Sequence, residues 1–397
     1  MKVALITDSY APLNNSAAVH MQDLASEMIA QGHSVLVLAP DPTLTAPYMV
    51  ERSGELTVLR ARTMDMRKGG NVKRAFAELA LSPSLAWRMF QSRISKQPLD
   101  AVIWYSPSIF WGPLVKYLRV SKRVKTYLIL RDVFPEWAID VGVMRRGIAY
   151  QIFKVFEKFQ YRQADVIAIQ SEKTRPYLHK MLKDETPKIE FLLCWLRDLN
   201  KKPYYDLSLP ESLQGKKVCI YTGNMGVAQD TGVFLDLAKM TLDRPDIKYL
   251  FVGRGTDVAS LKQRITDEGI SNAIFQDEVD SDVLPDLLAQ ADVGLVSLEL
   301  SHKTDNVPGK FVGYTRNALP VLASMNTDND LTHAINSSQI GFATDTRDLD
   351  FLKRSLLDLL DTPNAASRTS KNARRYFKEN FRSDEAVHKI ITTLQDI

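Results

Sequence analysis

Short apolar runs alternate with segments of helical periodicity from the first residues of the chain. The run Val3–Ile6 is too short for a helix and ends at polar Thr7 and Asp8, which predicts a buried strand. After the turn APLNNS, small or apolar residues recur at helical spacing up to Gly32, and the next apolar run, Val35–Leu38, predicts a second strand. Strand, helix and strand in this order form a βαβ unit, so the sheet is predicted to be parallel.

The alternation continues on both sides of a break at Asn200–Leu213, a polar segment with two prolines and no periodicity. Further strands are predicted at Ala101–Trp104, Thr126–Leu130, Val166–Ile169, Val218–Thr222, Tyr249–Val252, Ile274–Gln276, Val293–Leu298 and Val321–Ala323. The aromatic-rich segment Ile148–Arg162 predicts a long packed helix, and Ala373–Ile397 predicts a charged helix with no strand after it. Two βαβ domains of about equal size predict a ligand cleft between them, at the carboxyl ends of the strands.

Composition limits the class of protein and its compartment. The chain has 397 residues, 45% hydrophobic and 25% charged, as expected for a globular protein of two or three domains. Its two cysteines, Cys194 and Cys219, lie in apolar runs, which excludes a disulfide framework or a thiolate metal site and predicts a reducing cytosol. The N-terminus becomes polar too soon for a signal peptide, and no window reaches the ~18 uncharged apolar residues of a membrane span.

Positive charge is concentrated in a segment that we call the cationic island, Arg60–Lys125. It contains fourteen lysines and arginines and three acids, although the formal net charge of the whole chain is only +4. Its aromatic residues include Phe76, Trp87, Phe90, Phe110 and Trp111. Basic and aromatic residues together are typical of proteins that bind an anionic bilayer. A solvated charged face is the alternative, and nucleic acid is disfavoured because no nucleic-acid module is recognisable.

Three loops in the second half place glycines and cations between a strand and a helix. Backbone N–H groups at such glycines, together with the positive end of a helix dipole, can bind a phosphate. The candidates are Gly223, Asn224 and Gly226 in TGNMGVAQD, Gly253 and Arg254 in FVGRGTD, and Val307, Pro308 and Lys310 in SLELSHKTDNVPGKFVGY. Because a lysine in the first turn of a helix is unfavourable for stability, we expect an anionic partner for Lys310, a solvated surface lysine being the alternative.

Polar residues also follow two predicted strands of the first half. The first loop ends with Asn14, Asn15 and Ser16, and Arg131, Asp132 and Glu136 lie in the segment LRDVFPEW. These six residues are candidates for a second set of ligand contacts. For Asp132, a salt bridge to the neighbouring arginine is the structural alternative.

The whole chain resembles retaining glycosyltransferase family 4. DSYAPLNNSAAVHMQDLASEMIAQGHSVLVL is similar to the opening of that family, and SDVLPDLLAQADVGLVSL, VPGKFVGYTRNALPVLAS and ARRYFKENFRS are similar to its sugar-nucleotide half and closing helix. RDVFPEW and TGNMGVAQD resemble the bacterial O-antigen and capsule branch that includes fucosamine transferases, which use UDP-linked amino-deoxy sugars and lipid-diphosphate acceptors.

The resemblance implies the α/β GT-B fold, in which two facing Rossmann-like domains with parallel sheets form an interdomain cleft. Residues 1–200 would be the acceptor-binding domain and residues 201–375 the nucleotide-sugar-binding domain. A C-terminal helix at residues 376–397 would pack back on the first domain.

The implied function is transfer of a hexosyl group from a nucleotide-sugar, with UDP-sugar favoured, to an acceptor hydroxyl with retention at the anomeric carbon. The acceptor would be a lipid-linked saccharide in bacterial surface polysaccharide synthesis, and the enzyme would act in the cytoplasm, peripheral on the inner face of the cytoplasmic membrane. The resemblance implies no cofactor. The predicted catalytic residues are Asp132, Arg254 and Lys310. The residues predicted to bind the donor are Asn15, Ser16, Gly223, Asn224, Gly226, Gly253, Arg254, Asp305, Val307, Pro308 and Lys310.

No metal site is predicted, because the sequence has no Asp-x-Asp beside a strand end and no histidine cluster. Fixed cations and helix dipoles would offset the charge of the leaving diphosphate instead.

Departures from the family pattern keep two alternatives open. The family usually has a Gly-Gly pair where this chain has Asn14 and Asn15, and a catalytic-site histidine where it has Arg131. The family signature of two glutamates separated by seven residues falls on Asp305 and Gly313, so the second carboxylate is missing. The arginine and lysine that clamp the diphosphate in the family are replaced by Val227 and Asp230. One alternative is a non-catalytic GT-B scaffold or nucleotide-binding protein. The other is a sugar-nucleotide epimerase, which would need more carboxylates and histidines at the sugar.

Overall fold

The chain forms two compact units, each built around one sheet. The computed structural model describes residues 1–13, 15–64, 77–106, 108–140, 142–185, 187–198, 208–301, 307–362 and 364–397. One unit consists of Met1–Arg197 with Ser383–Ile397, and the other of Asp198–Arg382. The chain thus changes unit after residues 197 and 382, whereas the sequence-based boundaries were set after residues 200 and 375.

The first unit contains an eight-stranded sheet in the order β3-β4-β2-β1-β5-β6-β7-β8. All neighbouring strands are parallel except the pair β3 and β4, which is antiparallel. Its elements are β1 Lys2–Ile6, α1 Ser16–Ala30, β2 Ser34–Pro40, β3 Tyr48–Ser53, β4 Leu56–Ala61, α2 Leu81–Gln91, β5 Ala101–Tyr105, α3 Gly112–Lys122, β6 Lys125–Ile129, α4 Glu136–Asp140, α5 Ile148–Tyr161, β7 Val166–Ile169, α6 Thr174–Leu182 and β8 Lys188–Phe191.

Helices cover both faces of this sheet, which explains why its central strands are continuous apolar runs. Met21 and Leu24 of α1 join the core on one face. Leu85 of α2, Leu118 of α3 and Tyr161 of α5 join the core on the other. Three strands of this sheet were not predicted from the sequence, namely β3, β4 and β8. The antiparallel edge strand β3, for example, is largely exposed and carries charged residues, so it gives no apolar run.

The second unit contains a six-stranded, fully parallel sheet in the order β11-β10-β9-β12-β13-β14. Its elements are β9 Lys217–Asn224, α7 Gly232–Met240, β10 Ile247–Arg254, α8 Val258–Glu268, β11 Ala273–Gln276, α9 Leu284–Leu288, β12 Val293–Ser297, α10 Gly309–Arg316, β13 Val321–Ser324, α11 Asp330–Ser337, β14 Gly341–Thr344, α12 Leu349–Asp361 and α13 Ala365–Asn380. Two parallel-sheet α/β units confirm the predicted fold class.

Two helices, not one, close the chain. The sequence predicted a single helix over Ala373–Ile397, but α13 ends at Asn380 and a last helix, α14, spans Ser383–Asp396. In α13, Tyr376 packs edge-on against Phe311 of α10, so α13 belongs to the second unit. The buried face of α14 lies in the core of the first unit beside α1.

In the described parts of the chain, no helix is long and apolar enough to cross a membrane.

Candidate functional site

The order of strands in the second unit locates its candidate site. Strand β9 lies between β10 and β12, so the chain leaves β9 toward one edge of the sheet and later returns on its other side. In open parallel sheets, ligands bind at the carboxyl ends of the strands that flank such a switch point. The segments that follow β9, β10 and β12 are the three loops that the sequence singled out.

The first two loops are in direct backbone contact. Gly253 lies opposite Gly223 at the ends of the paired strands β10 and β9. A Cβ atom on Gly253, where φ is +149°, would lie 2.0 Å from the carbonyl oxygen of Gly223. The contact therefore requires glycine, and the backbone N–H of Met225 donates a hydrogen bond to the carbonyl of Arg254 at 2.8 Å.

The remainder of the first loop is held by Asn224 and Gly226. The Nδ2 of Asn224 donates to Oε1 of Gln229 at 2.6 Å. A Cβ on Gly226 would lie 3.2 Å from Oγ1 of Thr256 in the second loop, a tight contact that glycine avoids. The structure thus places Gly223 and Asn224 opposite Gly253 and Arg254, and Gly226 beside Thr256.

Lys310 lies at the beginning of α10 and is directed toward the first loop. Pro308, with ψ of 133°, precedes the helix, so Lys310 is in its first turn. The Nζ atom lies 3.6 Å from the centroid of the Tyr221 ring. The Cε atom lies 3.9 Å from the position that a Cβ on Gly223 would take. Lys310 therefore holds its ammonium group close to the first glycine loop.

No ion pair compensates Lys310 among the residues that the structure describes. The side chain is partly buried, and desolvation of the ammonium lowers the pKa of Lys310 to about 7. The first N–H groups of α10 lack partners within the helix, so their dipoles add to the positive potential. An anion beside Lys310 would offset both unfavourable features.

Two buried tyrosines fix the position of α10. The hydroxyl of Tyr314 accepts from the N–H of Thr222 at 2.9 Å and lies 3.2 Å from the carbonyl of Ile220. It also lies 3.3 Å from the carbonyl of Leu295. A Cβ on Gly294 would lie 2.4 Å from the Tyr314 ring, so this glycine makes room for it. Tyr221, which supports the Lys310 ammonium, donates to the carbonyl of Asn224 at 2.8 Å.

Arg254 differs from Lys310 because it has a carboxylate partner. Its Nε lies 3.2 Å from Oε2 of Glu278, and its side chain is 63% exposed. A diphosphate at Arg254 would therefore compete with Glu278 for the guanidinium.

A cation that the sequence did not predict reaches the first loop from a distant segment. Asp230 lies where the family has a lysine, and its Oδ2 lies 2.9 Å from Nη1 of Arg347. Burial raises the pKa of the Asp230 carboxyl, and the positive charge of Arg347 opposes that rise. Arg347 lies in the loop between β14 and α12, which no local pattern connects with Asp230.

The remaining predicted donor residues lie just before α10 or beyond the described residues. Val307 and Pro308 are partly buried ahead of the helix. Asp305 lies in segment 302–306, outside the described residues. A Cβ on Gly313 would meet only Leu288 Cδ1, at an ordinary 3.9 Å, so packing does not explain the glycine at this position.

In the first unit, Asn15 and Ser16 form the start of α1. The Oδ1 of Asn15 accepts from the N–H of Ala18 at 2.9 Å, and its Nδ2 donates to Oγ of Ser9 at 3.2 Å. The side chain of Asn15 is therefore a helix N-cap, and contact with a ligand would fall to the backbone and to Ser16.

Arg131 is a buried structural cation. Its Nη1 donates to the carbonyl of Leu192 at 2.8 Å and its Nη2 to the carbonyl of Leu193 at 3.1 Å. The guanidinium carbon lies 5.1 Å from the centroid of the Trp195 ring. Asp132, the predicted catalytic carboxylate, follows Arg131 directly and is partly buried.

A buried histidine beside Arg131 was missed in the sequence. Nδ1 of His20 in α1 lies 3.2 Å from the hydroxyl of Tyr105. Burial, with a smaller contribution from the charge of Arg131, lowers the pKa of His20 to about 3. The imidazole is therefore neutral at physiological pH. Its position within the apolar face of α1 resembles that of any core residue, so periodicity alone could not identify it.

Part of the predicted cationic island is corrected by the structure. Arg60 is buried, and it bonds to Glu51 at 3.0 Å and to the carbonyl of Ala11. Phe110 and Trp111 are also buried, in the interior of the first unit. None of these three residues can therefore contact a bilayer. Residues 65–76, which include Phe76, lie outside the described part of the chain.

Two family descriptions match most of the chain. Residues 16–190 match the glycosyl transferase 4-like domain, and residues 210–376 match glycosyl transferases group 1. The chain therefore belongs to the glycosyltransferases that combine these two domains, which have the GT-B fold.

Two curated bacterial proteins are similar over much of their length. The chain is 22% identical to WcaI of Escherichia coli K12 over 321 residues, which are 75% of this chain and 76% of WcaI. WcaI is named as a glycosyl transferase of colanic acid biosynthesis. It is 25% identical over 231 residues to WbjE of Pseudomonas aeruginosa, named as a glycosyltransferase, covering 57% of each chain.

Solved structures share the fold at low identity. Sucrose-phosphate synthase of Thermosynechococcus elongatus has a TM-score of 0.73 at 15% identity, covering 100% of this chain and 98% of the synthase. WaaG, a glycosyltransferase involved in lipopolysaccharide biosynthesis, has a TM-score of 0.66 at 15% identity and 99% coverage of both chains. An Escherichia coli trehalose-6-phosphate structure with bound UDP-2-fluoro glucose has a TM-score of 0.72 at 13% identity, covering 100% of this chain and 99% of that one.

Proposed function

We propose that this glycosyltransferase moves a hexosyl group from a UDP-sugar to a hydroxyl of a lipid-linked saccharide, with retention at the anomeric carbon, in bacterial surface polysaccharide synthesis. The observation that carries the donor half of the proposal is the ammonium of Lys310, close to Gly223 and without a described carboxylate partner. A partly desolvated cation at a helix N-terminus suits a diphosphate, whose charge it would offset.

The nature of the donor and acceptor is supported by similarity. The resemblance to the family 4 branch described above favours UDP and retention. WcaI, which bears the name of a polysaccharide biosynthesis enzyme, supports a surface polysaccharide as the product.

In the proposed reaction, the bond between the anomeric carbon and the diphosphate oxygen breaks, and the acceptor hydroxyl oxygen bonds to that carbon on the same face. The hydroxyl proton passes to the departing phosphate oxygen. Lys310, Arg254 and the N-terminus of α10 stabilise the negative charge that develops on the diphosphate. The proposed role of Asp132, in the first unit, is to orient the acceptor hydroxyl or the sugar.

Metal independence is part of the proposal. Throughout the described segments, no three His, Cys, Asp or Glu side chains group as metal ligands would. The charge of the leaving group would instead be met by the fixed cations of the second unit. The enzyme would act in the cytoplasm, peripheral on the inner face of the cytoplasmic membrane.

A thermal-shift panel of UDP, GDP and ADP, with the corresponding sugar nucleotides, tests the donor assignment. The proposal predicts that UDP and a UDP-sugar raise the melting temperature most, and that Lys310→Met loses this response. Stabilisation by GDP or ADP nucleotides alone would overturn the choice of UDP.

A nucleotide-binding scaffold without activity is the second candidate, and specific residues favour it. Gly313, Val227 and Asp230 replace three side chains with which the family holds its donor. A scaffold would bind nucleotide but would not transfer sugar to any acceptor, which separates it from the transferase.

A further inference from the structure

Three neighbouring helices form one layer on the first unit. Helix α3 packs against α2 on one side and against α5 on the other. All three bury residues in the same core under the sheet. Their opposite sides therefore form one outward surface, which we call the three-helix face and which includes the loop at residues 142–147.

Helix α5 carries apolar side chains on both its buried and its outward side. Its outward stripe is Ile148, Ile152 and Val155, at helical spacing, and Ile148 is 82% and Val155 68% exposed. Its buried residues are Tyr150, Glu157, Gln160 and Tyr161. The packed helix expected over Ile148–Arg162 is thus present, but its aliphatic stripe faces outward.

Polar contacts of Glu157 and Gln160, on the buried side of α5, fix the orientation of the helix. Glu157 pairs with Lys154 at 2.7 Å and accepts a hydrogen bond from Tyr177 at 2.6 Å. The Oε1 of Gln160 accepts from the N–H of Trp111 at 3.1 Å, and its Nε2 donates to the carbonyl of Ser108 at 3.0 Å. These bonds hold the aliphatic stripe in its outward position.

The other elements of the face also expose large apolar residues. These residues are Trp87, Phe90, Tyr117, Val120 and Val143. Trp87 and Phe90 stack with ring centroids 5.9 Å apart. With the α5 stripe, they make up eight of the sixteen exposed large hydrophobic residues in the described chain. Such a concentration marks a binding surface, because scattered exposure would be spread over both units.

The charge of the same surface is almost entirely positive. Segments 81–96, 112–125 and 142–162 contain thirteen lysines and arginines and one acid, the buried Glu157. Four of these cations have carboxylate partners: Arg119 with Asp165, Arg162 with Glu185, Arg146 with Glu136, and Lys154 with Glu136 and Glu157. Within the described residues, Lys116, Lys122 and Arg123 have none.

We propose that the three-helix face docks on an anionic phospholipid bilayer, with Val143, Ile148, Ile152 and Val155 inserted below the headgroups. Apolar side chains between unpaired cations match the interfacial region of such a membrane. A second copy of the chain is a poorer occupant, because two such faces would bring like charges together. Nucleic acid is charge-complementary but offers no apolar partner for the aliphatic stripe.

This inference deepens the proposed function, since it rests on that proposal only for the lipid-linked nature of the acceptor. Docking by this face would keep the first unit at the membrane surface, where a lipid-linked acceptor lies. Vesicle binding is measured without donor or acceptor, so the docking surface and the sugar transfer can fail separately.

The test uses the full-length chain and vesicles of phosphatidylglycerol and phosphatidylethanolamine, with phosphatidylcholine vesicles for comparison. The variant Ile148→Ser with Val155→Ser removes apolar groups from the stripe and leaves every charge in place. The matched control is Met49→Ser with Leu242→Ser, which removes two exposed apolar side chains elsewhere. We expect the stripe variant to lower the partition coefficient on anionic vesicles at least about tenfold, and the control to match wild type.

Charge is tested by Lys116→Glu with Lys122→Glu, and by salt. Binding by wild type should weaken steeply between about 0.05 M and about 0.5 M salt, and the charge variant should bind as weakly as wild type at high salt. Brominated lipid should quench the fluorescence of Trp87, and Trp87→Phe should remove most of the quenching.

Three results would overturn the proposal. If the stripe variant binds anionic vesicles as wild type does while the charge variant does not, the face is a site for a soluble polyanion such as nucleic acid. Binding to phosphatidylcholine vesicles as tight as to anionic vesicles would show that the interaction does not require anionic lipid. A dimer in sedimentation velocity that the stripe variant dissociates would assign the face to a second copy. Circular dichroism and melting temperatures of all variants establish that they are folded.

Discussion

Replacing Lys310 by Met should remove most of the affinity for a UDP-sugar while stabilising the protein itself. Methionine keeps an apolar chain against the Tyr221 ring but has no charge. Loss of one charge-assisted contact to the diphosphate costs about 1.5–3 kcal/mol, or roughly ten- to a hundredfold in affinity near pH 6.5.

The pH dependence of binding follows from the pKa of Lys310, about 7. Below pH 7 the ammonium is already charged, so affinity does not change through this group. Above pH 7 a proton must be taken up as the diphosphate binds, which costs about 1.4 kcal/mol, or a tenfold weaker affinity, for each pH unit. The affinities of wild type and Lys310→Met for the UDP-sugar should therefore become equal between pH 8 and pH 9. The affinity of the variant should not change with pH in this way.

Stability changes in the opposite direction. The pKa of Lys310 lies below its ordinary value of 10.5, so between pH 7 and pH 10.5 the unfolded chain binds more protons than the folded one. The wild-type protein is therefore penalised at pH 7, and the penalty disappears as pH rises toward 10.5. Lys310→Met should melt at a higher temperature than wild type at pH 7.

Isothermal titration calorimetry with UDP-sugars from pH 6.5 to 9 measures the affinities, and a thermal melt measures stability. Lys262→Met, an exposed lysine on α8, is the matched control and should behave as wild type. The reasoning is refuted if wild-type affinity does not change above pH 7, or if Lys310→Met binds UDP-sugars as tightly as wild type does at pH 6.5.

Three further predictions concern the ion pair of Arg254, the glycines of the second unit and metal dependence. Arg254→Gln should lower turnover about tenfold. Glu278→Gln releases Arg254 from its ion pair and should keep or improve the affinity for the donor. Steady-state kinetics of both variants with one donor test these two expectations. Gly253→Ala should unfold the loop or the unit, because its Cβ would lie 2.0 Å from the carbonyl oxygen of Gly223. At Gly269 a Cβ would have no atom within 4 Å, but φ is +65°. Gly269→Ala should therefore lower the free energy of unfolding, measured by chemical denaturation, by only about 1 kcal/mol. Saturating EDTA should leave the initial rate of transfer nearly unchanged, and an activity abolished by EDTA and restored by magnesium or manganese would show that the site holds a metal ion.

Strands that consist of an unbroken apolar run could be predicted from the sequence. Strands β1 and β9, buried on both faces, appear as unbroken apolar runs. Strand β3 lies at an edge and exposes charged residues, so its sequence resembles a loop. Helix α5 was predicted to be a packed helix because of its aromatic residues, which carry no information about the outward stripe of Ile148, Ile152 and Val155.

In the candidate site, too, only features that lie within one short segment could be predicted. The glycine loops were predictable because each motif lies within one short segment between a strand and a helix. The contact of Lys310 with Tyr221, and that of Arg347 with Asp230, join segments that are distant in the chain and leave no local signal. The helix N-cap formed by Asn15 was hidden for another reason, since an asparagine before a helix suits a cap and a ligand equally well.

Release of free UDP, measured with and without a lipid-linked saccharide acceptor, tests the central claim most directly. The account predicts release from one UDP-sugar only when the acceptor is present, a product with the anomeric configuration of the donor, and a ten- to hundredfold lower rate for Lys310→Met. Binding of UDP-sugar without release under any acceptor would identify a scaffold, and release without acceptor would identify a hydrolysing enzyme; either result would contradict sugar transfer.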